Sequence, residues 1–230
     1  MSRLSKSHFT PILCYVTDRR ILSSEHPADA LETLLGKIEQ VAAAGADWIQ
    51  IREKDLSAQD SAMLTGQALE RAAKASAGRA RPTRVLINDR LDVALAQRAG
   101  GVHLAENSLP VADAKRLVDS RSPGKDFLVG VSCHSLGAAK SAESGGADYI
   151  FFGPVFPTPS KAAYGAPQGI ERLGEVCRAI SIPVLAIGGI TRENLESCLD
   201  VGASGMAAIR LFQDAEDVKS LVRTVQKPRR

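Results

Sequence analysis

One short block recurs four times along this 230-residue chain: a small-residue helix end, often carrying an acid, followed at once by a run of apolar residues. It reads Ala-Gly-Ala-Asp-Trp-Ile-Gln-Ile from Ala44, Ala-Gly-Gly-Val-His-Leu from Ala99, Gly-Gly-Ala-Asp-Tyr-Ile-Phe-Phe from Gly145 and Val-Gly-Ala-Ser-Gly-Met-Ala-Ala-Ile from Val201. A helix-like stretch precedes each block, and an unbroken apolar run suits a strand buried on both faces. Helix-to-strand units at this spacing describe parallel βα repeats. Polar groups follow each strand candidate: Arg52-Glu53-Lys54, Asn88-Asp89-Arg90, Glu106-Asn107-Ser108, Ser132-Cys133-His134, Thr158-Pro159-Ser160-Lys161, Gly188-Gly189 and Arg210. In a (β/α)8 barrel the strand C-termini converge on one mouth, so these groups share one site. The expectation is an α/β enzyme built as a single (β/α)8 TIM barrel.

Eight strand candidates fit that frame: Ile12–Val16, Trp48–Ile51, Val85–Ile87, Gly101–Leu104, Phe127–Val131, Tyr149–Phe152, Pro183–Ile187 and Gly205–Ile209. Helical patterns fill the gaps over Ala28–Ala43, Ser57–Lys74, Leu91–Gln97, Ala112–Val118, Leu136–Glu143, Gly169–Ala179, Glu193–Leu199 and Ala215–Val225. Ser57 before Asp60, and Thr191 before Asn194, read as helix caps. Ala75–Thr83 reads as a loop, and Thr158–Gln168 as a mobile one. A barrel of this type takes about 250 residues. The whole chain, 1–230, is therefore one domain with no interdomain linker.

Composition excludes several classes. A net charge of +3 is mild, and the tail Lys227-Pro228-Arg229-Arg230 reads as a solvated end, so no nucleic-acid partner is expected. No apolar run reaches the roughly 18 residues of a membrane span. Met1 to Thr10 lacks the apolar stretch of a secretory signal, which makes the cytoplasm the expected location. Cys14, Cys133, Cys177 and Cys198 show no CxxC spacing and suggest neither zinc nor a disulfide framework. Oligomeric state stays open, a homo-oligomer included.

Three clusters carry candidate chemistry. Gln50, Arg52 and Lys54 alternate with Ile51 and Glu53, so strand period turns them toward the barrel axis. Two cations there call for an anion, and a di- or polyphosphate suits an Arg fork beside a Lys point charge. A rim salt bridge to Glu53 or Asp55 is the plainer alternative. Asn88-Asp89 suits Mg2+, which takes one or two carboxylates and completes its shell with phosphate and water. A helix N-cap explains the same pair equally well. Gly188-Gly189 opens a strand-to-helix turn whose backbone N–H groups suit a phosphate, at the place where barrels commonly cradle one.

These residues lie in segments that resemble a known family. Tyr15-Val16-Thr17-Asp18, Gln50-Ile51-Arg52-Glu53-Lys54, Ile87-Asn88-Asp89-Arg90, Gly101-Val102-His103-Leu104, Gly130-Val131-Ser132-Cys133-His134-Ser135, Gly153 through Lys161 and Ala186-Ile187-Gly188-Gly189-Ile190-Thr191 follow one another in register. Together they resemble thiamine phosphate synthase and its sister, the TenI-type thiazole tautomerase, from about residue 15 to 212. For the synthase, the resemblance implies that an aminopyrimidine diphosphate ionises to a pyrimidine methyl cation, which the nitrogen of a thiazole phosphate captures. It further implies that Gln50, Arg52, Lys54, Asn88, Ser132 and Lys161 hold the diphosphate substrate, with Arg52, Lys54 and Lys161 also assisting departure of pyrophosphate. Asp89 is the implied Mg2+ ligand. Thr158, Ser160, Gly189, Ile209 and Arg210 are implied to surround the thiazole phosphate.

Two positions depart from the family pattern. Ser108 stands where the synthases usually carry the second metal-binding Asp, with Glu106 and Asn107 nearby. Arg210 stands where they usually carry Ser. The tautomerase needs neither metal nor a diphosphate grip, and by resemblance His134 takes its acid–base role, for which an imidazole is suited. Retention of Arg52, Lys54, Asn88, Asp89 and Lys161 favours the synthase. A phosphate-ligand sensor that has lost turnover is the third expectation, and it draws on Ser108.

Overall fold

In the computed structural model, residues 10–22, 27–121, 126–158 and 166–226 are described, and within them eight parallel strands close on themselves in chain order. They are β1 Ile12–Val16, β2 Trp48–Ile51, β3 Arg84–Asn88, β4 Gly101–Leu104, β5 Leu128–Cys133, β6 Tyr149–Phe152, β7 Val184–Ile187 and β8 Gly205–Ala208. Each pairs with the next, and β8 returns to β1 with Ile12 opposite Gly205 and Tyr15 opposite Ala208. The helices are α1 Pro27–Ala44, α2 Ala58–Ala75, α3 Leu91–Ala96, α4 Val111–Arg121, α5 Leu136–Ser144, α6 Gly169–Ala179, α7 Leu195–Asp200, α8 Arg210–Gln213 and α9 Val218–Val225. This is the (β/α)8 barrel expected from the repeats.

Two apolar regions account for strands that are hydrophobic on both faces. Cys14, Val16, Leu86, Tyr149, Phe151, Leu185 and Ala207 fill the barrel interior. Their neighbours Leu13, Tyr15, Ile49, Val85, Ile87 and Val102 pack outward against the helices. The expected elements recur with small shifts at their ends. The final helix differs most, because Asp217 accepts the Ser220 N–H and starts α9 at Val218, leaving α8 as one separate turn. At α7 the cap is also different from the expected Thr191. The Asn194 side chain accepts the Thr191 N–H at 2.8 Å and donates to the Gly189 carbonyl at 2.8 Å, and the helix begins at Leu195.

The recurring block has a physical basis at the foot of the barrel. Gly45, Gly146 and Gly202 leave their helices with φ of +100°, +86° and +107°. The alanine after each donates back to the carbonyl five residues earlier: Ala46 to Val41, Ala147 to Ala142 and Ala203 to Cys198, at 3.3, 3.0 and 3.1 Å. That is a Schellman ending, which glycine allows at no steric cost. The acids of two blocks then stitch strands together. Asp47 Oδ2 accepts the Leu13 N–H at 2.9 Å, and Asp148 Oδ2 accepts the Val129 N–H at 2.6 Å. The repeated acid is structural and sits at the end opposite the mouth.

Arg98 occupies the same helix-ending position in the remaining block, with φ +55° and the matching Ala99-to-Ala94 bond at 2.9 Å. A side chain in that region costs about 1 kcal/mol relative to glycine. Arg98→Gly is expected to stabilise the fold by about that amount, read as a higher urea midpoint at unchanged slope. A midpoint equal to or below the parent's would show that Arg98 is not strained.

Candidate active site

Two loops at the mouth are tied together by one carboxylate. Thr17, just after β1, donates its hydroxyl to Glu53 Oε1 at 2.6 Å and accepts the Arg52 N–H at 2.9 Å. Glu53 also accepts from the Arg19 backbone and, at 2.9 Å, from its guanidinium. Its side chain is 1% exposed. Asp55 is engaged by the other edge of the same guanidinium, at 2.8 and 2.7 Å. Glu53 and Asp55, the acids next to Arg52 and Lys54 in the chain, are thus committed to Arg19, and the rim salt bridge from them to Arg52 or Lys54 does not form.

Among the described residues Arg52 has only a distant carboxylate, Asp18 at 3.9 Å, and Asp18 is itself bound to Arg20 at 3.0 Å. Among the described residues Lys54 makes no ion pair. The Arg52 guanidinium is the main cause that holds its ammonium below the usual lysine range, with burial adding to the effect. Two cations that repel one another, with Asp18 at 3.9 Å from Arg52 as the one carboxylate in ion-pair range among the described residues, have the character of a candidate anion site.

Beside them, buried Gln50 donates from Nε2 to Asn88 Oδ1 at 2.9 Å, while its buried Oε1 has no partner among the described residues. An orphan acceptor in a dry place is costly unless a ligand supplies a donor. Asp89 has φ +60°, donates its N–H to the His103 carbonyl at 2.8 Å and accepts the Ala105 N–H on its carboxylate at 3.3 Å. It is not the helix cap: Arg90 occupies that position in α3, with no side-chain capping bond. Ala105 accepts the Ser108 N–H at 3.1 Å, so one residue links Asp89 to Ser108.

Glu106 is spoken for. Its Oε2 accepts the His134 backbone N–H at 2.8 Å and meets His134 Nδ1 at 2.5 Å. On the far side of the mouth, the Gly188-Gly189 turn has φ of +92° and +67°, and a Cβ at Gly189 would stand 2.6 Å from the Pro157 carbonyl oxygen. Phe156 donates its N–H to the Gly188 carbonyl at 3.0 Å, which brings Phe156 and Pro157, the residues just before Thr158, against this turn. Ile209 contributes to the interior at the end of β8, and Arg210 is exposed at the start of α8. Ser160 and Lys161 lie outside the described residues.

Sequence reasoning missed two interior residues. His103, fully buried, stacks on Phe151 with ring centroids 4.0 Å apart. Its Nδ1 lies 3.1 Å from the Tyr149 hydroxyl and its Nε2 3.0 Å from Ser132 Oγ. The available signal was a histidine inside an apolar run, since a buried polar ring demands partners. Burial pushes its imidazole down to about 3 from the ordinary 6.5. The folded chain therefore resists a proton that the unfolded chain accepts, and stability falls as pH drops from 6.5 toward 3. His103→Gln is expected to remove a slope of up to about 1.4 kcal/mol per pH unit in that window. Denaturant melts of parent and variant across the window test it, and a stability difference that does not vary with pH rules it out.

Comparison with known proteins follows the same geometry. A family described as thiamine monophosphate synthase matches residues 14–212. A putative thiamine-phosphate synthase of Geobacter sulfurreducens is 45% identical over 189 residues, covering 82% of this chain and 83% of that one. The thiamine-phosphate synthase of Chlorobium luteolum is 38% identical over 219 residues, 95% of this chain and 93% of its own. Among solved structures, thiamine phosphate pyrophosphorylase from Pyrococcus furiosus superposes with a TM-score of 0.75 at 30% identity, over 93% and 94% of the two chains.

Proposed function

The chain belongs to the thiamine monophosphate synthase family, and from that premise we propose that it condenses 4-amino-2-methyl-5-pyrimidinylmethyl diphosphate with a thiazole phosphate to give thiamine phosphate and pyrophosphate. The observation that carries this reading is the Arg52–Lys54 pair, left among the described residues with no carboxylate nearer than Asp18 at 3.9 Å because Arg19 takes both neighbouring acids. A diphosphate supplies the missing charge, and cations already in place stabilise it further as it departs. The orphan Gln50 Oε1 suits the amino group of the pyrimidine, with Asn88 orienting the amide. By resemblance Lys161 joins the diphosphate grip, and Thr158, Ser160, Gly189, Ile209 and Arg210 surround the thiazole phosphate. Transfer needs the C–O bond to the diphosphate to break and the thiazole nitrogen to bond the exposed methylene carbon. Water excluded from the mouth protects that carbon.

Mg2+ fits this site as a partner of the diphosphate rather than as a caged ion. Among the described residues no group of three His, Cys, Asp or Glu side chains is placed to hold a metal. Asp89 with Ser108 offers one carboxylate and one hydroxyl, a set that Mg2+ completes with substrate phosphate and water. When bound, the ion supplies positive charge against the leaving diphosphate. Glu106 has its Oε2 committed to His134, so Ser108 is the position we take as the second ligand.

The direct test offers purified protein both substrates, with and without Mg2+, and looks for thiamine phosphate and pyrophosphate; no product under either condition overturns the reading. Arg52→Ala and Lys54→Ala are each expected to weaken binding of the pyrimidine diphosphate about 10- to 100-fold, the worth of a hydrogen bond to a charged group. Unchanged affinity in both would remove the diphosphate from this pair. Ser108→Asp is expected to tighten Mg2+ measured calorimetrically in the presence of pyrophosphate, and to raise turnover. An unaltered Mg2+ affinity would place position 108 away from the metal.

The Glu106–His134 pair supports a second reading, proton transfer on a thiazole carboxylate phosphate. A carboxylate held against an imidazole is suited to moving protons without a metal. Isomerisation of that substrate by the parent, lost in His134→Ala, is the result this reading requires.

A further inference from the structure

Three groups inside the barrel form a chain with a determined polarity. Tyr149 is fully buried, and among the described residues its hydroxyl has one hydrogen-bond partner, His103 Nδ1 at 3.1 Å. The opposite ring nitrogen, Nε2, meets Ser132 Oγ at 3.0 Å. A neutral imidazole carries one proton and offers one lone pair. If Nδ1 held the proton, the tyrosine O–H would be a buried donor with no acceptor, at full desolvation cost. The satisfied arrangement runs the other way. Tyr149 donates to Nδ1, and Nε2–H donates to Ser132 Oγ.

Packing holds that arrangement. The His103 ring lies on Phe151 at 4.0 Å and 5.5 Å from the Tyr149 ring, and Tyr149 lies against Trp48 at 4.6 Å. A Cβ on Gly130 would come within 2.0 Å of the tyrosine ring, so the absence of a side chain there gives the ring its place. Burial keeps the imidazole neutral, as the relay requires. Ser132, only partly buried, stands at the end of the chain that faces the mouth.

We propose that Tyr149 and His103 are positioning residues that fix the Ser132 hydroxyl as a donor toward the bound substrate. With Nε2–H donating to Oγ, the serine proton is not spent on the imidazole and is available to an acceptor, and a pyridine-type ring nitrogen of an aminopyrimidine is such an acceptor. This role of the relay rests on the pyrimidine reading above. It leaves the serine proton free for a bare ring nitrogen, whereas the opposite tautomer would spend that proton on Nε2 and leave only lone pairs for the substrate.

Two measurements test it. Nitrogen-15 spectra of ligand-free protein with labelled histidine, assigned among the four histidines by loss of one set in His103→Gln, are expected to show a protonated Nε2 and a bare Nδ1. The reverse tautomer overturns the relay, whatever the protein binds. Calorimetric titration with the pyrimidine diphosphate then compares parent, Tyr149→Phe, Ser132→Ala and the double variant. Tyr149→Phe keeps the ring on Gly130 and is expected to weaken binding about fivefold in the parent background, but less than about twofold once Ser132 is gone. An equal loss in both backgrounds, or none in either, overturns positioning through Ser132 and leaves Tyr149 a packing residue. A parent that fails to bind the diphosphate would sink the functional reading, while the tautomer would still decide the relay. If Tyr149→Phe does not fold, the same spectrum of the parent decides it.

Discussion

The mouth of this barrel depends on how Arg19 is used. Its backbone and guanidinium hold Glu53, its other edge holds Asp55, and Thr17 closes the bundle through the same Glu53 carboxylate. Glu53 is almost wholly buried, so this is a desolvated pairing whose acceptor lone pairs are well supplied, the circumstance in which a buried ion pair is tolerated. It binds the loop after β1 to the loop after β2. By taking both acids it also leaves Arg52 and Lys54 facing each other. The Arg52 guanidinium lowers the proton affinity of Lys54, the repulsion that a bound anion would relieve.

The barrel interior is built on a similar exchange. Glycine at Gly130 makes room for the Tyr149 ring, which in turn gives the His103 ring a hydroxyl on one side while Phe151 covers its face. A polar pair is thereby carried into a dry core with its hydrogen bonds met. The cost of burying an imidazole is visible in its lowered proton affinity. That chain ends at Ser132, one of the residues that family resemblance assigns to the substrate. The apolar packing of the inner barrel thus extends directly into the polar site above it.

The fold was largely legible before the structure. Period, glycine placement and the order of apolar runs specified eight strands, and the observed ends differ by a residue or two, as at Phe127 and Pro183, which precede β5 and β7. The errors fell where a side chain competes with local pattern: Asp217 starting α9, and Asn194 rather than Thr191 ordering the turn before α7. For the site, residue types at strand ends sufficed to collect Gln50, Asn88, Arg52 and Asp89 at neighbouring strand ends. His103 escaped because its neighbours in sequence are apolar, and its partners, Tyr149 and Ser132, are 46 and 29 residues away.

Sequence alone determined the alternation of helix and strand, the helix-ending glycines and the collection of charged residues at one end of the barrel, because these follow from local backbone sterics and from burial on both strand faces. It left open which acid pairs with which base. Glu53 and Asp55 are adjacent to Arg52 and Lys54 in the chain, yet all four lie beyond the end of β2 at Ile51, where no strand period fixes which way a side chain turns. Arg19, more than thirty residues away, meets both acids across the gap between β1 and β2. Asp89 likewise reads as a cap in sequence and becomes a presented carboxylate only because the chain turns left-handed there and hands its N–H to β4. Pairing of neighbouring strands decided both, since β1 beside β2 and β3 beside β4 bring together residues that are remote in sequence.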